Sequence, residues 1–187
     1  MRNGDERIGL FVVVVLCLIG CNRNALTPAT KIDACALLTR AEIQAVQGSA
    51  ITDTKTTEHS DAGLRMSQCY FSAVESSKSV SLVVTQTDVG HPTNRTPKDY
   101  WNETFTPGVV EEKEREGDAK EKEDESKKPV KIAGVGEDAY WNGDRVGGAL
   151  YAIKKNVFVR ISLGGTDDQK TKIEKSKTLA QKALDRL

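Results

Sequence analysis

The chain is short of the residues that carry most catalytic and metal chemistry. Its two histidines, His59 and His91, have no ligand-like spacing, and its four cysteines contain no C-x-x-C pair, so zinc and thioredoxin-type sites are not expected. The G-x-S-x-G nucleophile elbow is missing, as are the metalloprotease and calcium-loop signatures. No catalytic residue, metal or cofactor is therefore expected; a pair of carboxylates, which suffices for a glycosidase, is the enzymatic route left open. An excess of either charge is also lacking. Lysine and arginine total 27 against 27 aspartate and glutamate, which gives no support to a nucleic-acid partner. The apolar run from Ile8 to Ile19 falls short of the about 20 residues that a membrane-spanning helix needs.

That run nevertheless reads as an address. It follows Arg2 and Arg7, offset by Asp5 and Glu6, and its length suits a secretory signal. Leu18 and Gly20 do not supply the small alternate residues of ordinary secretory cleavage. The segment Leu18-Ile19-Gly20-Cys21 resembles the bacterial lipobox instead. The resemblance implies that the Cys21 thiol receives a diacylglycerol, that the signal is cut between Gly20 and Cys21, and that acyl chains such as palmitate hold the mature protein on a bilayer. Two or more chains anchor stably where one is marginal. The expected organisation is a signal peptide over 1–20, a polar tether over 21–31, and one domain over 32–187. That domain would face outside the cytoplasm, lipid-anchored to the bacterial cell membrane or outer membrane. An uncleaved N-terminal membrane helix or a plain secreted protein is the competing reading.

With Cys17 in the signal and Cys21 lipidated, Cys35 and Cys69 remain as a single pair. An oxidising compartment would join them. Closing that loop would stabilise the fold by about 4 kcal/mol on the chain-entropy argument. A redox or metal site is the competing reading.

Along the domain, Thr39 followed by Glu42 is a capping box ahead of Ile43 and Val46, with Gly48 as the stop, and predicts a short amphipathic helix. Ile51 to Met66 is polar and threonine-rich, a loop or a weak edge strand. Gln68 to Ala73 and Val80 to Thr87 read as two strands joined by a turn over Glu75 to Ser79. Thr96 and Pro97 open a second helix that puts Trp101 and Phe105 on one face. Tyr100, Trp101 and Trp141 are candidate ligand-facing aromatics, suited to stacking on a sugar or peptide. Packing of the helix on the sheet is the alternative use of its rings.

Glu111 to Lys128, with nine acidic and six basic residues, can bury nothing and reads as a flexible charged insertion. A short strand over Val130 to Ala133 leads into Gly134-Val135-Gly136-Glu137-Asp138-Ala139, which matches the dinucleotide fingerprint. That fingerprint needs a helix to start at its glycines, whereas Tyr140 to Gly143 reads as strand and turn, and Glu137 and Asp138 would repel phosphates. Ala149 to Lys154 and Val157 to Leu163 form a hairpin, with Asn156 as the left-handed turn residue. Asp167 or Thr166 caps a last helix whose Ile173, Ala180, Leu184 and Leu187 form its apolar stripe.

The opening Asp33-x-Cys35-x-Leu37-Leu38-Thr39-x-x-Glu42-Ile43 is similar to the start of the mature domain in small bacterial lipoproteins, common in actinobacteria, that are classed as domains of unknown function. The resemblance extends to Ser67-Gln68-Cys69-Tyr70-Phe71 and to Gly134-x-Gly136-x-x-Ala139-x-Trp141 with the hairpin and helix after it. It implies a second cysteine partnering the first, and it brings no activity or ligand. Some lipoproteins of this kind have a fold like the photosystem PsbP and Mog1 proteins.

The order of elements gives the expected fold class: α+β, an antiparallel sheet with helices packed on one face and one inter-element disulfide. The expected function is a non-catalytic binding or interaction module of the bacterial cell envelope. Its partners would be the membrane, through the lipid, and an envelope protein or a small apolar or glycan ligand at the sheet face left open. The alternatives are a carboxylate-dependent envelope glycan enzyme using Glu137 and Asp138 beside Trp141, and a purely structural spacer.

Overall fold

A computed structural model of the chain describes residues 30–91, 95–105, 128–143 and 147–187. The segment expected to be a signal, Cys21, most of the expected tether and the charged insertion up to residue 127 lie outside the described residues. The domain begins with a single 3-10 turn over Ala34–Ala36, whose Cys35 amide donates to the Asp33 carboxylate. Helix α1 (Arg40–Gln47) has the capping box expected of it: Thr39 Oγ1 accepts from the Glu42 amide while the Glu42 carboxylate accepts from the Thr39 amide. It stops at Gly48.

Strands β1 (Ile51–Asp61), β2 (Leu64–Ala73) and β3 (Val80–Thr87) form an antiparallel meander. Helix α2 (Pro97–Phe105) follows. Then come β4 (Val130–Lys131), β5 (Asp138–Gly143), β6 (Gly148–Lys154), β7 (Val157–Leu163) and helix α3 (Gln169–Leu184). The seven strands form one sheet in the order β1-β2-β3-β7-β6-β5-β4, antiparallel throughout. The threonine-rich stretch after Ile51 is therefore an edge strand, exposed on both sides and carrying the charges that discourage edge-to-edge pairing.

Side-chain alternation sorts the sheet into two faces. Cys69, Phe71, Leu82, Val84, Leu150, Ala152, Val159 and Ile161 point to one face and form the main core with α1 and α3. Tyr140, Tyr151, Ile153 and Phe158 point to the other and pack against Trp101 and Phe105 of α2. The domain is thus α+β, but its helices are not all on one face: α2 covers the side opposite α1 and α3. The cause lies in β6 and β7, whose alternate positions are apolar on both faces at Tyr151, Ile153 and Phe158, so both faces need cover.

Two turn assignments also shift. In the β6–β7 turn the positive φ belongs to Lys155, not Asn156. Asn156 uses its side chain instead: Oδ1 accepts from the Lys98 amide at 3.2 Å and Nδ2 donates to Thr87 Oγ1 at 3.4 Å, which seats the first turn of α2 over the sheet. Asp168, rather than Asp167 or Thr166, caps α3 by accepting from the Thr171 amide, while Asp167 pairs with Lys175 at 2.6 Å.

The far end of the chain closes back on α1. Arg186 donates to both oxygens of Glu42 at 2.8 and 3.0 Å and to the Leu37 carbonyl at 2.6 Å. Arg186 above all, with help from Thr39, holds Glu42 at about 2, against an ordinary value of 4.5 and against the opposing pull of burial. A depressed carboxylate contributes stability above its unfolded value and loses it as pH falls toward its folded one. Between about pH 4.5 and 2 the protein should therefore lose about 1–2 kcal/mol at this pair, discounted for partial solvent screening. Urea unfolding at pH 7, 4 and 2.5 checks this: Glu42→Gln should be weaker at pH 7 and flatter toward acid, and parallel curves would contradict it.

Candidate ligand cleft

The face carrying α2 is only partly covered. Between α2 and the tip of the β1–β2 hairpin lies a cleft of about 280 Å³. Its floor is the sheet itself, with Leu64 and Met66 from β2, Val83 and Thr85 from β3, and Phe158 and Arg160 from β7. The strand register builds it, because Arg160 stands between Tyr151 and Val83 while Phe158 stands beside Thr85 and Met66 pairs with Thr85. Tyr100 of α2 and Arg95 just before it form one wall, and Asp61 and Ala62 form the rim.

Local sequence explains these placements. Thr96 and Asp99 make a reciprocal cap, in which the Asp99 carboxylate accepts from the Thr96 amide and hydroxyl and is held below its ordinary value by those bonds. The cap fixes where α2 starts, and hence where Arg95 and Tyr100 sit. At the rim, Ala62 and Gly63 both have positive φ, 47° and 78°, as a two-residue mirror-type hairpin turn requires. Alanine in that conformation costs about 1 kcal/mol.

Each tyrosine of the cleft lies under a guanidinium. Arg95 sits 5.3 Å from the Tyr100 ring centroid and is ion-paired with Glu103 of α2. Arg160 sits 5.8 Å from the Tyr151 ring and its Nε donates to the Tyr151 hydroxyl at 3.0 Å. Among the described residues no carboxylate pairs with Arg160, which is half-buried. The ring of Tyr100 also stacks on Phe158, with centroids 5.7 Å apart.

The three aromatics expected to face a ligand are scattered. Tyr100, 36% exposed, lines the cleft, whereas Trp101 is 3% exposed and packs α2 on the sheet. Trp141 is 1% exposed and lies in the core on the opposite face. The carboxylate pair is not assembled beside it either. Glu137 accepts from the Lys155 amide at 2.7 Å, and Asp138 pairs with Lys131 and points to the face away from Trp141. The glycine segment before them runs into β5, not into a helix. Gly136 has φ 59° and passes so close to β6 that a Cβ would lie 2.5 Å from the Ile153 carbonyl oxygen. Cys35 and Cys69 are joined, with Cα atoms 5.0 Å apart.

One polar cluster escaped the sequence. Asp88, 1% exposed, accepts from the Gly90 amide at 3.0 Å and from Arg65 at 3.4 Å, with His91 Nδ1 3.2 Å away. It is held at about 2, first by the Ser60 hydroxyl, then by Gly90, His91 and Arg65, against the effect of burial. The Ser60 hydroxyl is bonded to the carboxylate rather than to the imidazole, and His91 is 81% exposed, so these residues tie the hairpin end to the turn after β3 and do not form a relay. No group of three or more metal-ligating side chains occurs among the described residues, and no described helix is long and apolar enough to cross a membrane. Comparison with protein-family models, curated proteins and solved structures found no match.

Proposed function

We propose that this chain is a lipid-anchored lipoprotein of the bacterial cell envelope, whose domain faces outside the cytoplasm and acts as a non-catalytic binding module, taking a small ligand in the cleft between α2 and the sheet. The observation that carries the reading is the Cys35–Cys69 bridge, since such bonds form and persist in oxidising compartments. The apolar N-terminal run ending in Leu18-Ile19-Gly20-Cys21 supports the same compartment and supplies the anchor. The cleft supports binding: it is concave, mainly apolar, and lined by a few convergent polar groups, the usual make-up of a small-molecule site. By resemblance to lipoproteins that open with Asp33-x-Cys35-x-Leu37-Leu38, the seven-stranded antiparallel sheet with its helices is read as a fold of the PsbP and Mog1 kind.

Metabolic labelling with a radioactive fatty acid tests the anchor. Label should appear on the wild-type protein and vanish in Cys21→Ser, with the wild type in the membrane fraction. An unlabelled wild type ends the lipoprotein reading.

A further inference from the structure

We infer that the cleft takes a small amphipathic anion, a carboxylate with a short apolar body, whose head is read by Arg160. This rests on the reading of the cleft as a ligand site and narrows its ligand to one chemical class. Arg95 is already ion-paired with Glu103, so the uncompensated charge of the cleft is Arg160. Its Nε is spent on the Tyr151 hydroxyl at 3.0 Å and its Cζ lies 5.8 Å from that ring's centroid, which holds the guanidinium in place and leaves its two terminal nitrogens for a ligand. A fixed planar fork of donors suits a carboxylate, bound bidentately. Asp61 is the one carboxylate among the lining residues, and it stands at the exposed hairpin tip without pairing to Arg160.

The rest of the cleft fits the body of such a ligand. Met66, Val83, Leu64 and Phe158 form a continuous apolar floor across three strands. A volume of about 280 Å³ is at the small end of ligand sites, so the body is short. A glycan fits less well. Sugars stack on open aromatic faces, and here Tyr100 is taken by Phe158 and Arg95 while Tyr151 is taken by Arg160 and by Phe105 at 5.0 Å.

Calorimetric titration of the full protein in phosphatidylcholine nanodiscs, with empty discs as the blank, tests this with octanoate, octan-1-ol and octylammonium at neutral pH. Octanoate should bind about tenfold or more tighter than octan-1-ol, as expected for a charge-assisted hydrogen-bond pair, and octylammonium should not bind. Arg160→Met, which keeps the apolar stem, should abolish the margin. Arg160→Lys, which keeps the charge without the fork, should restore part of it. Equal binding of octanoate and octan-1-ol overturns the anion assignment and leaves the cleft as a ligand site, and this comparison on the wild type stands even if a variant fails to fold. An undiminished margin in a folded Arg160→Met also overturns it. Failure of all three probes to bind removes both the assignment and the cleft as a site.

Discussion

Breaking the Cys35–Cys69 bond should lower the unfolding free energy by about 4 kcal/mol, or on the order of 10 °C in Tm. The bond closes a loop with a sequence separation of 34, and that loop contains α1, β1 and the start of β2. Its loss frees much of the unfolded chain. The native side loses little by itself, because the segment before α1 is held independently: the Ala34 amide donates to Ser67 Oγ, and the buried Gln86 side chain accepts from the Ile32 amide and donates to the Thr30 carbonyl. Cys69 is fully buried, so alanine is the better replacement than serine, which would leave a hydroxyl in the core. Denaturant titration of the oxidised protein, the reduced protein and the Cys35→Ala, Cys69→Ala pair checks this. A loss below about 1 kcal/mol would mean that the segment stays docked in the unfolded state or that the bond is not formed in the native protein.

What the sequence shows and what it hides divides along one physical line, the distance over which a feature is specified. The capping box of Thr39 and Glu42, the start of α2 at Thr96 and Pro97, and the β6–β7 hairpin are settled within a few residues, so each is readable where it stands. The disulfide is readable from a count. The cleft is not, because Arg160 looks like an ordinary polar-face residue of a strand until β3 is paired with β7, across a long stretch of chain, and Val83 comes to lie beside it. The side chosen by α2 is hidden for the same reason: Tyr151 and Phe158 become a surface needing cover only once β6 and β7 are neighbours. Buried polar residues such as Gln86 and Asp88 have no periodic signature, since their partners Thr30, Ile32, Arg65 and Gly90 are brought to them by the fold.

Trp141 and Tyr100 share a chemistry and should part company under mutation. Trp141→Ala is expected to cost about 3–5 kcal/mol, the range for removing a large aromatic from a close-packed core. Its indole lies against the backbone of Gly148 in the neighbouring strand, where a Cβ would come within 2.4 Å of the ring. Gly148→Ala should therefore destabilise the protein as well, by forcing the ring out of that seat. The indole nitrogen has no hydrogen-bond partner among the described residues, so Trp141→Phe gives back part of the loss by removing a buried unpaired donor. Tyr100→Ala removes a half-exposed ring that touches Phe158 and Arg95, and should cost no more than about 1.5 kcal/mol while widening the cleft. Thermal and urea unfolding of the four variants decides the matter. Equal costs at Trp141 and Tyr100 would contradict the placement of Trp141 in the core, and a stable Trp141→Ala protein with altered ligand binding would return that residue to the role of a ligand-facing aromatic.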